Sequence, residues 1–269
     1  MDEEGKTMDV PNEDDMVWKA VEMIQAVPTQ INSVFEHWRQ QVEAAIQGIA
    51  EALARCTFLG ITEERKQELI ANVQKWGGYG WTRPLGAPPG FFFEPPGSIE
   101  EANAAMRPLC SKTEVERLFE KLKSQKHRKQ DLEEAIACYN DQHYKACALI
   151  LFGMIDAKMI RKQGCDLDYR PVGHKAAKRL QDSFERDNEE TSFFVMLYCV
   201  NVFACLKSLF ANANDFKAEP DTINRNFVSH GMAHRPVRQR DCIQLFLVLC
   251  NFTQILSSIP KPNTERFGK

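Results

Sequence analysis

The chain has 269 residues, 43% apolar and 26% charged, the balance of a folded globular protein and not of a disordered one. A formal charge of -3 excludes a polybasic molecule, so any polyanion site must come from local clustering. Nine cysteines without CxxC spacing, an acidic start with no apolar leader and no apolar run of about 18 residues predict reduced thiols, a cytoplasmic location and no membrane span.

Residues 1–15 hold seven acids against one Lys and read as a solvated tail. A helical region over 16–76 follows. Val17, Val21 and Ile24 share one helical face, Pro28 breaks the pattern, and Thr29 to Phe58 repeats apolar residues at helical spacing. Thr62 is an N-cap ahead of acidic residues and another amphipathic stretch reaching Trp76. Between 77 and 98 six Gly and five Pro exclude a helix, and this stretch is the expected boundary between two helical units. Its Trp76, Tyr79, Trp81 and Phe91 to Phe93 either pin the linker to a core or offer a stacking surface. Ser98 caps "IEEANAAMRPL", and from there to residue 260 the pattern is helical throughout, with 261–269 as a tail. No alternating strands with Asn-Gly turns occur, so the fold class is all-α, a helical bundle preceded by an additional helical region.

One stretch breaks the apolar texture of the C-terminal third, "NRNFVSHGMAH" at 224–234. On a helix Asn226 and His230 are i and i+4 and share a face, and Arg225, one position round, has the reach to join them. A neutral-range imidazole, a permanent cation and an orienting amide are the groups that metal-free phosphodiester cleavage requires. Gly231 lets the chain turn just after the His. The same residues also serve as helix-end caps or ion-pair partners in many proteins. His230 and His234 have metal-ligand spacing, but there is no HExxH and Cys242 has no partner at ligand spacing, so no metal and no cofactor are expected.

The run "INRNFVSHG", preceded by "AIACYNDQHYKACALILFGMIDAKMI", resembles the HEPN superfamily of higher-eukaryote-and-prokaryote nucleotide-binding helical domains. The likeness covers roughly residues 115 to 260 and rests on R-x4-6-H with a polar residue after the Arg, matched by Arg225, Asn226 and His230. It implies a HEPN-like bundle over 99–260 and cleavage of RNA, tRNA or mRNA, without metal, leaving a 2',3'-cyclic phosphate. It further implies a homodimer whose two motifs share one cleft, a toxin or antiphage defence role, and an antitoxin or sensor partner. Met232 stands where one branch has a nucleotidylated Tyr, a departure from that pattern. His234 is a candidate for supporting proton transfer or phosphate binding, or else an exposed helix-end His. Asp156, alone in "FGMIDAKMI", pairs with Arg225, orients His230 or bridges to another Lys or Arg.

Three basic groups mark where RNA would lie: "KLKSQKHRKQ" from Lys121 to Lys129, "HKAAKR", and Arg235, Arg238 and Arg240 beside the motif. The first reads by default as a solvated face, and the third, next to the motif, as the phosphate contacts. Two rival readings stay open. One is a catalytically inactive HEPN-like module that binds nucleotide or protein, and the other is a structural helical adaptor.

Overall fold

Residues 61–88, 90–163, 169–187 and 193–258 are described by the structure, a computed structural model. The predicted tail 1–15, the helices over 17–24 and 29–58, and the tail 261–269 lie outside the described residues. Among those described there is no strand, and nine α-helices form: α1 Glu63–Gly78, α2 Ile99–Met106, α3 Lys112–Ser124, α4 Lys129–Asn140, α5 Tyr144–Lys162, α6 Gly173–Asp187, α7 Phe193–Leu209, α8 Arg225–Ser229 and α9 Gln239–Ser258. None is long and apolar enough to cross a membrane.

The chain divides into two units, Met1–Lys66 with Pro88–Phe91, and Gln67–Ala87 with Phe92–Lys269. Nearly all of the first lies outside the described residues. Within the second, α9 is the organising helix: it packs against α3, α5 and α7, and Leu245, Phe246, Val248, Leu249 and Phe252 are all sealed from solvent. A helix buried on every side is apolar all round, which is why "CIQLFLVLCNF" shows no amphipathic stripe. Around it α4 pairs with α5, α5 with α6 and α6 with α7, and the short α8 rests on α5.

The boundary expected across 77–98 falls elsewhere, between Lys66 and Gln67, with only Pro88–Phe91 set apart. The physical reason is a set of core amides that bind the irregular backbone of this stretch. Asn201 of α7 donates to the Val73 and Trp81 carbonyls, both at 3.1 Å. Asn251 of α9 donates to Thr82 Oγ1 and the Arg83 carbonyl, both at 2.8 Å, and Gln244 Nε2 donates to the Tyr79 carbonyl at 3.1 Å. A loop cannot be buried unless its peptide groups find partners, and these three side chains supply them. Trp76, Trp81, Phe92 and Phe93 are buried in the same core and pin the stretch, while Tyr79 and Phe91 are half-buried.

The predicted helix starts at Thr62 and Ser98 are capped by side chain, Thr62 Oγ1 accepting from Arg65 N–H at 3.3 Å and Ser98 Oγ from Glu101 N–H at 3.2 Å. The described cysteines are free, and burial pushes the Cys199 thiol up to about 12 and Cys205 higher still. Cys147, Cys199, Cys205, Cys242 and Cys250 are buried core residues, as their apolar settings suggest, while Cys110 and Cys138 are half-buried.

Candidate functional site

The residues 224–234 fold as a single capped turn. Asn224 is the N-cap, its Oδ1 accepting from the N–H groups of Asn226 at 2.9 Å and Phe227 at 3.3 Å. The turn closes at His230, whose N–H reaches the Asn226 carbonyl at 3.0 Å. Gly231 then takes φ +71°, and the N–H groups of Gly231 and Met232 bond back to the carbonyls of Val228 and Phe227 at 3.3 and 2.8 Å. This pair of bonds with a left-handed residue after the cap is a Schellman ending, and it gives Gly231 its physical reason. Phe227 and Val228 between them are buried and anchor the turn.

Arg225 is held on two sides. Its Nη1 donates to Asn226 Oδ1 at 3.1 Å, and its Nη2 lies 3.6 Å from Asp156 Oδ2 on α5. The side chain nevertheless stays 34% exposed, against 14% for Asp156. Of the partners left open for Asp156, the structure realises Arg225, and the second carboxylate oxygen accepts the Gly173 N–H at 3.0 Å where α6 begins. Asn226 is spent twice: its Oδ1 steadies Arg225 and its Nδ2 donates to the Ala211 carbonyl at 3.0 Å, which also accepts from Asn224 Nδ2 at 3.0 Å. Both amides thereby tie α8 to the end of α7.

His230 is exposed, and no hydrogen bond holds its ring among the described residues. Its ring meets Phe216 edge to face, with centroids 5.5 Å apart. Phe216 also packs edge to face on Phe227 at 5.2 Å. It belongs to a short turn, Asn214–Phe216, whose three residues all have positive φ, at +46°, +57° and +58°. No hydrogen bond or ring contact links Arg225 to His230: the guanidinium turns to α5 and the imidazole to the 214–216 turn. Five positions on a helix amount to about 140° of rotation, so convergence of the two within one chain is not what the local geometry produces.

The three flanking arginines do not form a free phosphate patch. Asp241, at 0% exposure, accepts from Arg235 Nη1 at 2.8 Å and Arg240 Nη2 at 3.2 Å, and from the Arg238 N–H at 2.9 Å. The last contact is half a capping box, closing the start of α9. Arg235 also faces Glu219, whose Oε2 accepts the His234 N–H at 2.7 Å. Arg235 and Arg240 are thus structural counter-charges to a buried acid, and of the three only Arg238 is exposed with a guanidinium that has no partner among the described residues. His234 is exposed, and its backbone, through Glu219, is what the fold uses. No group of three or more metal-ligating side chains with suitable geometry occurs among the described residues.

Sequence reasoning missed Asn224, Phe216 and Glu219. The first carried a readable signal, an Asn directly before a helical turn. Phe216 and Glu219 carried none, because their roles exist only once the loop between α7 and α8 has folded back. No family model matches the chain, and no curated protein and no solved structure matches it either.

Proposed function

We propose that the face of α8 bearing Arg225, Asn226 and His230 is one half of the reaction centre of a metal-independent endoribonuclease of HEPN type, completed by a second copy of the chain. The observation that carries this reading is the state of the two side chains within one turn. Arg225 is anchored yet one-third exposed, and His230 is exposed with no hydrogen bond to its ring among the described residues. Asn226 takes one guanidinium N–H and Asp156 faces Nη2 at ion-pair distance, 3.6 Å, so most of the five donors stay open to a phosphate.

In the reaction an imidazole removes the proton of a ribose 2'-hydroxyl, the oxygen attacks the adjacent phosphorus, and the 5'-oxygen leaves with a proton from a second acid. The guanidinium stabilises charge building on the phosphoryl oxygens. One chain offers His230 for a single proton transfer, and a facing copy supplies the other imidazole and the convergence that five positions on one turn do not. Asn226 orients Arg225, and Asp156 fixes its reach. A defence or toxin role, with an antitoxin or sensor partner, follows from the HEPN resemblance.

A second reading, a catalytically inactive module that binds nucleotide or protein, is favoured by Asn226, whose amide is committed to the Arg225 side chain and the Ala211 carbonyl. Incubation of bulk RNA with the protein in EDTA separates the two. The enzyme yields 2',3'-cyclic phosphate ends, reduced at least a hundredfold in His230→Ala and in Arg225→Ala, whereas RNA binding without cleavage by the parent favours the inactive module. Equal cutting by parent and both variants refutes the assignment of the site.

A further inference from the structure

The sequence shows a basic run from Lys121 to Lys129, yet most of its charge is locally neutralised. Lys123 Nζ sits 2.8 Å from Glu120, Arg128 3.5 Å from Asp131 and Lys129 3.7 Å from Glu133. Lys126, from that run, meets two cations that the sequence keeps far from it. Lys158 of α5 donates from Nζ to the Lys126 carbonyl at 2.9 Å, across 32 positions of chain. Arg161 is one turn further along α5, on the same face as Lys158. No carboxylate pairs with Lys126, Lys158 or Arg161 among the described residues.

Lys158 is half-buried in this setting. Burial first, then the like charges of Arg161 and Lys126, push its ammonium down to about 8. His127, next to Lys126, is held neutral, its imidazole pushed down to about 4 by burial and by Lys158. Folding has therefore gathered two ammonium groups and a guanidinium and left them without an anion among the described residues. A charge placed in a partly desolvated position without a counter-ion is costly, and the cost is relieved when an anion arrives. Lys158 keeps two N–H donors after its bond to the Lys126 carbonyl, and the planar fork of Arg161 suits an oxyanion with several oxygens.

We infer that Lys126, Lys158 and Arg161 form a phosphate-binding subsite at the junction of α5 with the loop between α3 and α4. It is distinct from the α8 face. Asp156, which holds Arg225, lies two positions from Lys158, about 200° around α5, so the two sites occupy opposite sides of that helix. The phosphate is either part of an RNA backbone or a free polyphosphate, and the chemistry of recognition is shared. Cleavage at the α8 face does not depend on this inference, and either can fail alone.

The test is binding of a fluorescent single-stranded 2'-O-methyl RNA, which lacks the nucleophile and so remains intact, measured by anisotropy from 50 to 200 mM salt. Each phosphate contact to a single strand contributes about 0.7 to the slope of log K against log salt, worth about fivefold in affinity at 0.1 M. Substituting Lys126→Gln, Lys158→Met and Arg161→Gln together is expected to weaken binding about a hundredfold and to lower the slope by about 2. Lys158→Met retains the apolar stem. Should the triple variant not fold, Arg161→Gln alone, at an exposed position, gives about fivefold and a slope change of about 0.7. Lys123→Gln with Lys129→Gln, removing cations already paired, is expected to change affinity less than threefold. Tripolyphosphate titrated calorimetrically is the second arm: binding of tripolyphosphate but not RNA, lost in the triple variant, identifies the free anion as the source. Unchanged RNA and tripolyphosphate binding in the triple variant, absence of binding to both by the parent, or equally tight binding of a poly-glutamate peptide overturns the inference.

Discussion

Replacing Asp241 by Ala is expected to destabilise the protein by about 3 kcal/mol. The carboxylate is fully sealed and accepts the Arg238 N–H at 2.9 Å, Arg235 Nη1 at 2.8 Å and Arg240 Nη2 at 3.2 Å. Removing one partner of a buried ion pair costs about 3–5 kcal/mol, because the other charge is left without compensation. Here the lower end applies, since the two arginine side chains retain 25% and 31% exposure and regain part of their hydration. Asp241→Asn keeps one acceptor for the Arg238 N–H but turns an amide N–H₂ toward a guanidinium, and about 2 kcal/mol is expected. Urea unfolding followed by the fluorescence of the buried Trp76 and Trp81 measures the loss as a shift in midpoint at constant m-value. A loss below 1 kcal/mol for Asp241→Ala would refute the reasoning, and with it the claim that Arg235 and Arg240 are structural and not phosphate contacts.

Gly77→Ala places a Cβ 2.5 Å from the Asn201 carbonyl oxygen and 2.8 Å from the Cys205 nitrogen, both backbone, and should cost about 2 kcal/mol or more in urea. Gly78→Ala, with nothing within 4 Å, should be neutral or stabilising by up to about 1 kcal/mol in the same assay. Gly231→Ala, also in open space but at φ +71°, should cost about 1 kcal/mol from conformation alone. His127, pushed down to about 4 in the fold against about 6.5 unfolded, should confer acid sensitivity. Between these values the unfolded chain takes up a proton that the folded chain refuses, so stability is full above about pH 6.5 and falls as pH drops toward 4. His127→Gln should flatten the change in urea midpoint between pH 7 and 5, by less than the limiting 1.4 kcal/mol per pH unit because solvent screens this half-buried group.

Local rules read much of this fold from sequence. Thr62 and Ser98 as caps, the Gly231 turn and the helical setting of the cysteines follow from residue type and spacing. The boundary at 77–98 did not, because its evidence, three amides at 201, 244 and 251, sits more than a hundred residues away and reads locally as polar residues on apolar helices. Charge misled in the same way. Arg235, Arg238 and Arg240 form a basic patch in one dimension, and only the buried Asp241 among them shows that two are consumed. Lys126 belongs to one basic run of the sequence, but it joins Lys158 and Arg161 only after α5 has packed.

The surroundings of His230 extend this argument from charge to strain. Three successive L-residues at positive φ each carry about 1–2 kcal/mol relative to right-handed backbone, and Phe216, unlike Asn214 and Asp215, has no short polar side chain to ease it. Against this stand two edge-to-face ring contacts, to Phe227 and His230, at about 0.5–1.5 kcal/mol each, and the Phe216 N–H bond to the Ala213 carbonyl at 2.8 Å. The two sides nearly balance, which makes the 214–216 turn a weakly held element against an otherwise unanchored imidazole. Arg225, by contrast, is fixed by a carboxylate and an amide from its own core. The cation of the motif is therefore preorganised by the chain itself, while the imidazole takes its position from a turn that is only weakly held.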